Sequence, residues 1–210
     1  MTCLLVSGFS VHAQKTNGVY DNKSGYLSLG VRNTLGLFIT EGKTYFGKSA
    51  GGNFGLRFGD TYHSRWFGDY ITTNFNDLAS RNDVHGGFSF MPEFAMNKSA
   101  ENPVMFYPLA GFCIDYTKIS VNPAKAVATG ASSDERYSFA TQFGLGFRIP
   151  LSARLDFAFD AHYMLHIGTD IDVHIHGNEV ELIHHKGSNL EGHLLFAATL
   201  EYKMFKLWGR

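Results

Sequence analysis

The 210 residues suit a single domain, and no break in composition suggests a second. A formal net charge of −1 offers no electrostatic case for nucleic acid as a partner. No stretch reaches the ~18 apolar residues of a membrane-spanning helix, the nearest, 104–114, being interrupted by Pro108 and Gly111. The unusual counts are 19 Phe, 10 Tyr and 23 Gly, against a mean hydropathy of −0.11.

Residues 1–13 read as an export signal. Leu4, Leu5, Val6 and Phe9 form its apolar core, and Val11-His12-Ala13 is an A-x-A-like cleavage site before Gln14. The core is short and lacks a basic flank, so the leader is read as truncated at its start. Residues 14–24 follow as a flexible periplasmic lead-in, and 25–210 form the folded domain. Cys3 falls in the leader, which leaves Cys113 as a lone thiol and excludes a disulfide framework.

Within the domain, apolar residues recur with period two, the signature of strands whose successive side chains point to opposite faces. The first strand, about 26–39, sets Leu27, Leu29, Val31, Leu35, Leu37 and Ile39 against Ser28, Gly30, Arg32, Thr34 and Gly36. A loop over 40–50 precedes the second, about 51–59, with Phe54, Leu56 and Phe58 outside and Asn53 and Arg57 inside. The third, about 65–75, is ambiguous: Phe67, Ile71 and Phe75 share a face with Asp69, opposite Trp66 and Tyr70, which a bulge or an interfacial Asp would reconcile. After a loop over 76–82, the fourth, about 83–94, exposes Val84, Phe88, Phe90 and Phe94 and turns His85, Ser89 and Glu93 inward. A polar turn over 97–102 leads to the fifth, about 104–116, with Phe106, Ala110, Phe112 and Ile114 outward and Tyr107, Cys113 and Asp115 inward.

A long loop over 118–135 precedes the clearest pair, a hairpin over 136–167. Tyr137, Phe139, Phe143, Leu145 and Phe147 share one face of its first strand, and Arg136, Ser138, Gln142 and Arg148 the other. Its second strand sets Phe157, Phe159, Tyr163, Leu165 and Ile167 against Arg154, Asp156, Asp160, His162 and His166. Another loop is expected over 168–189, and the eighth strand, about 190–202, puts Leu194, Phe196, Leu200 and Tyr202 opposite Glu191, His193, Thr199 and Glu201.

Strands of this length, apolar on one face and charged on the other, match transmembrane β-strands of about 9–11 tilted residues. A soluble ligand-binding barrel would place apolar residues inside, whereas this interior is charged. The expected fold is all-β, an eight-stranded antiparallel transmembrane barrel. An even strand number returns both ends to one side. Short connections after strands two, four and six and long ones after five and seven would put the long loops outside the cell.

On the Val11-His12-Ala13-Gln14 junction, the eight amphipathic strands and the aromatic-rich last strand, the chain resembles the small OmpX/OmpA-like outer-membrane barrels of the kind common in Bacteroidetes. The segments Asp69-Tyr70-Ile71-Thr72, Asp115-Tyr116-Thr117-Lys118 and Leu190-Glu191-Gly192-His193-Leu194-Leu195-Phe196 carry the same likeness. The resemblance implies residence in the outer membrane, contact with its lipids and lipopolysaccharide, a monomer, and an extracellular protein or surface ligand as partner. It is silent on activity. The chain departs from the pattern by running past Tyr202 through Phe205 and Trp208 to Arg210, which leaves the assembly-signal aromatic open.

Three constellations bear on chemistry. An eight-stranded barrel is only wide enough for its side chains to fill. The inward set of Arg32, Arg57, Arg136, Arg148, Arg154, Asp115, Asp156, Asp160, Glu93, Glu191 and Glu201 is therefore expected to form a salt-bridged core rather than a pore. Asp170, Asp172, His174 and His176 form a D-x-D-x-H-x-H stripe on one side of an extended segment, which is either a weak metal-binding candidate or a solvated strand extension. Ser89, His85 and Glu93 share a face, but same-face neighbours lie about 6–7 Å apart along a strand, too far for a relay. No nucleophile motif is present. The function expected is non-enzymatic, with no catalytic residues and no cofactor, the alternatives being a lipid-modifying barrel enzyme or a metal-binding surface barrel.

Overall fold

A computed structural model describes residues 25–40, 42–59, 61–96 and 103–208, without the side chains of 186–189 and 208. The export signal, the lead-in and the turn expected over 97–102 lie outside the described residues.

Eight strands follow one another around a closed antiparallel barrel. They are β1 (Gly25–Thr40), β2 (Lys43–Phe58), β3 (Tyr62–Phe75), β4 (Ala79–Pro92), β5 (Met105–Val121), β6 (Ser133–Pro150), β7 (Leu155–His176) and β8 (Glu179–Trp208). Each pairs with the next, and β8 returns to β1 with Val31 opposite Leu200 and Leu37 opposite Leu194. Closure leaves the barrel wall no open edge, so its backbone polar groups are satisfied without water, as lipid requires. Two short strands flank the ring: Phe94–Ala95 on the start of β5, and Val127–Ala128 parallel to the start of β8.

The alternation read from sequence holds around the ring. Outward side chains form a band in which Trp66, Phe88, Phe112 and Phe139 follow one another across β3 to β6, at ring separations of 4.8, 5.8 and 6.0 Å. Phe147, Phe159 and Phe196 do the same across β6 to β8, at 5.6 and 6.5 Å. Cross-strand aromatic pairs of this kind stabilise a sheet on its lipid face. Tyr116 lies above this band beside Tyr137 and donates its hydroxyl to Glu135, as tyrosines do at a membrane–water interface.

The third strand needs neither a bulge nor an interfacial Asp. It pairs without a register shift with both neighbours, and Phe67, Asp69, Ile71 and Phe75 all point inward while Trp66 and Tyr70 face lipid. Its apolar inward residues join an interior cluster with Phe38, Tyr45, Ala79, Ile119, Val121 and Ala126. The lumen is thus polar toward the end where both termini emerge and increasingly apolar toward the end bearing the β7–β8 turn.

Three expected loops are mostly strand. Residues 43–50 belong to β2. After β3 comes a three-residue turn, 76–78, in which Asn76 and Asp77 both take positive φ (54° and 62°) and Leu78 N–H donates to the Phe75 carbonyl at 2.9 Å. Asn and Asp tolerate that left-handed backbone, and the primed turn it forms matches the twist of the flanking strands. The segment 168–189 is a β-hairpin that turns at Gly177 (φ 64°), so that β7 spans 22 residues and β8 spans 30, against 14 in β3 and β4.

Connection length therefore does not sort by parity, since 93–104 after β4 is as long a link as 122–132 after β5. Strand overhang at the hairpin end carries the asymmetry instead. Arg154, expected inside, is exposed in the turn before β7 and donates to the Tyr202 hydroxyl at 3.1 Å.

The outward band gives a direct test. Phe143 is 55% exposed near the middle of β6, opposite Tyr163. Phe143→Leu should leave the heat-modifiable gel shift of the folded barrel intact. Phe143→Arg should lower folding stability by about 2–4 kcal/mol, the cost of a cation at the bilayer midplane, and an Arg variant as stable as its parent would remove Phe143 from the lipid face.

Candidate functional site in the barrel lumen

Inward positions of neighbouring strands bring carboxylates and guanidinium groups within reach of one another. In the half nearest the termini, Arg148 is the hub. Its Nε donates to Glu93 Oε1 at 2.7 Å, Nη1 bonds Glu201, and Asp156 lies 3.6 Å away. Arg57 pairs with Glu93 at 2.7 Å, and Lys203 with Asp156 at 2.8 Å. Arg65 bridges Glu201 (3.1 Å) and Asp160 (2.9 Å), while Arg32 pairs with Asp69 at 3.0 Å. All ten of these charged residues are buried, and Arg32, Arg57, Arg65, Arg148 and Lys203 balance Asp69, Glu93, Asp156, Asp160 and Glu201 one for one.

Glycines make the room. A Cβ on Gly146 would stand 2.5 Å from the Tyr107 ring, and one on Gly30 would meet Asn53 Oδ1 at 2.4 Å, just where Asn53 donates to Glu201.

The other half is organised differently. Arg81 bonds Asp83 (2.9 Å) and Glu191 (2.8 Å) and lies 4.8 Å over the Phe38 ring. Arg136 bonds Asp170 at 2.7 Å and also Glu191. Between these pairs and the first network sit His85, Asp115 and His166, all buried, whose ligand-type atoms lie within 4.8 Å of one another. Thr117 Oγ1 lies 3.0 Å from Asp115 Oδ2, and Ser138 Oγ is 3.0 Å from His166 Nδ1.

The expected inward charges are in place except Arg154. Arg65, Asp69, Arg81, Asp83 and Lys203 join them. Arg65 and Asp69 lay in the ambiguous third strand, Arg81 inside an assumed loop, Asp83 at its edge, and Lys203 beyond the assumed end of β8.

The serine candidates do not form a relay. Ser89 accepts from Gln142 at 2.8 Å, Glu93 is held by Arg57 and Arg148, and His85 lies beside Asp115, so the three side chains expected on one face have different partners. Ser138, His166 and Asp115 do cluster, yet the hydroxyl and the carboxylate both approach the same nitrogen, Nδ1 (3.0 and 3.3 Å). A catalytic histidine needs its nucleophile and its orienting acid on different nitrogens.

The D-x-D-x-H-x-H stripe lies on the outer portion of β7. Asp170 is buried against Arg136, whereas Asp172 is exposed and pairs with His185 at 2.9 Å. His174 and His176 stand opposite Glu181 and Glu179 in the ladder. Ile171 and Val173, on the alternate positions, are buried with Val180 over the lumen. Among the described residues the stripe does not gather into one ligand cluster.

No family model matches the sequence, and no curated protein does. Among solved structures, Neisserial surface protein A is 14% identical, with a TM-score of 0.56 over 86% of this chain and 97% of that one. The attachment invasion locus protein Ail of Yersinia pestis (15% identical, TM-score 0.45, 87% and 99% covered) and the N-terminal barrel of Pseudomonas aeruginosa OprF (9%, 0.46, 86% and 99%) are more distant in shape. The likeness to the Neisserial protein is one of fold. Together with the apolar outer band and the charged lumen, it shows this chain to have the fold of a small eight-stranded transmembrane β-barrel.

The network predicts its own sensitivity. Asp160 accepts from Arg65 and His162 at 2.9 Å, so Asp160→Ala leaves buried cations short of a counter-charge. Stability measured by urea titration in micelles or vesicles should fall by about 3–5 kcal/mol, as for other broken buried pairs. A loss within about 0–1 kcal/mol would instead describe water-screened pairs.

Proposed function

We propose that the chain is a monomeric integral outer-membrane protein whose filled barrel anchors a protruding β-hairpin. Its role is structural or one of surface interaction, and it carries out no reaction. On this reading residues 1–13 direct export, 14–24 lead in from the periplasm, and the β7–β8 turn faces outward from the cell. The observation that carries it is the pairing of two features: a lumen filled by ion pairs, and the overhang of β7 and β8 beyond the other strands. A filled lumen offers neither a conduction path nor a substrate cleft, whereas the overhang presents ordered backbone and side chains beyond the membrane. An extended hairpin suits partner binding because its strands keep its shape without a folding cost on contact.

The overhang is held in place rather than free. Val127 N–H donates to the Asn178 carbonyl at 2.9 Å and Thr129 N–H to Val180 at 3.0 Å, and Lys125 pairs with Asp77 at 2.8 Å. The β5–β6 link, the β3–β4 turn and the hairpin thus form one surface.

Three measurements test the proposal together. Planar bilayers containing the purified protein should show no steady conductance. Lipid A from cells with and without the protein should give the same mass spectrum. Protease sites inserted at Asn178 should be cut on intact cells, and those at Ser152 should not. A stable open conductance would make the protein a pore, an altered acylation pattern would make it an enzyme, and cleavage at Ser152 alone would invert the orientation.

A further inference from the structure

We propose that the lumen binds one divalent transition-metal ion of the Zn²⁺ class, with His85, Asp115 and His166 as ligands. Nothing in the anchoring role requires this site, and it stands or falls separately.

Three observations converge on it. The first is geometry. His85 Nε2 lies 3.1 Å from Asp115 Oδ1, at ion-pair distance but out of hydrogen-bond alignment. On the other side of the same carboxylate, His166 Nδ1 lies 3.3 Å from Oδ2. With one ligand atom taken from each, the three residues lie within 4.8 Å of one another, close enough for small side-chain rotations to bring them onto one ion.

The second is unsatisfied capacity in a buried place. Both ring nitrogens of His85, Oδ1 of Asp115 and Nε2 of His166 lack hydrogen-bond partners, and the three residues are 2%, 0% and 1% exposed. Buried polar atoms out of hydrogen-bond alignment recur through this lumen, and here, among the described residues, they belong to three residues of metal-ligating type that have come together, for which an ion is one explanation. The carboxylate meanwhile meets hydroxyls on its other side: Thr117 Oγ1, shared with Asp83 Oδ1 at 2.6 Å, lies 3.0 Å from Oδ2 and Ser138 Oγ lies 3.3 Å from it, leaving Oδ1 toward His85. Outer-shell hydrogen bonds of this sort fix ligating carboxylates in metal sites.

The third is charge. The termini-side network is balanced, five cations to five carboxylates. In the hairpin-side half, Arg81 and Arg136 face Asp83, Asp115, Asp170 and Glu191 among the described residues, so carboxylates outnumber guanidinium groups there. Arg81, the nearest cation, is occupied by Asp83, Glu191 and the Phe38 face and does not fill the gap. Two imidazoles and a carboxylate suit Zn²⁺ and, by the same ligand preferences, Co²⁺ or Ni²⁺. The apolar residues over the hairpin end close the lumen above, so the ion enters as the barrel folds.

The full chain, unfolded in urea with a chelator, is refolded into micelles with chelator, with Zn²⁺ or with Co²⁺, then desalted and assayed for bound metal. The expected result is about one ion per folded chain, a visible Co²⁺ absorption of low-symmetry tetrahedral type, and a urea midpoint higher with metal than with chelator. His85→Gln and His166→Gln should each weaken binding more than about 100-fold, beyond the loss typical of outer-shell changes. The double variant of His174→Gln and His176→Gln should bind as the parent does. The proposal is overturned if the parent retains no ion and its midpoint ignores metal, or if binding survives in the lumen variants and is lost in the hairpin variant. Parent stoichiometry and the Co²⁺ spectrum decide the question even where a lumen variant does not refold.

Discussion

The structure depends on one constraint: charges enclosed by a lipid-facing wall must find their partners inside it. A buried unpaired ion costs several kcal/mol, and a barrel of this width has no bulk water to screen it. Arg148 shows how the constraint is met. Its guanidinium reaches Glu93 from the end of β4, Glu201 from β8 and Asp156 from β7, so one side chain ties together strands far apart in sequence. Each of those contacts requires the inward register that also places aromatics on the outside. A one-residue slip of any strand would turn its charges into lipid and its aromatics into the lumen. Interior pairing and exterior apolarity are thus two expressions of one register.

The two ends of the lumen solve the problem of closure differently. Toward the termini, Tyr26, Met91, Tyr107 and Leu109 surround the ion pairs. Toward the hairpin, Phe75, Tyr45, Ile119, Val121, Ile171, Val173 and Val180 form an apolar cover. The overhang of β7 and β8 supplies part of that cover, which explains the polar stripe on its other face. With Ile171 and Val173 turned in over the lumen, Asp172, His174 and His176 take the alternate positions toward solvent. The hairpin is a lid on one side and a surface on the other.

Architecture was legible in the sequence because period-two alternation is a local signal, and the hairpin of β6 and β7 carries it over 136–149 and 155–167. The same signal misled where it met composition. The polar runs 40–50, 76–82 and 168–189 read as loops, yet strands that leave the membrane need no apolar outer face, so their alternation fades while their ladders continue. In β3, Phe67, Ile71 and Phe75 look lipid-facing by chemistry alone, but they fill the lumen beside Arg32, whose guanidinium lies 4.7 Å over the Phe67 ring. The charged interior was readable as a set of residues. Which carboxylate meets which guanidinium, and the meeting of His85, Asp115 and His166 from three strands, depends on barrel shear that no local pattern encodes.

The claim that the lumen is filled is tested most directly by the reactivity of Cys113, which is buried in the lumen with its Sγ 3.6 Å from Met164 Sδ. A small, membrane-impermeant methanethiosulfonate reagent is applied to the folded protein in vesicles, and modification at Cys113 is read by peptide mass. A filled barrel predicts that this thiol stays unmodified until urea unfolds the chain and then reacts fully. Rapid labelling of Cys113 in the folded barrel would show a water path through the lumen and contradict the account.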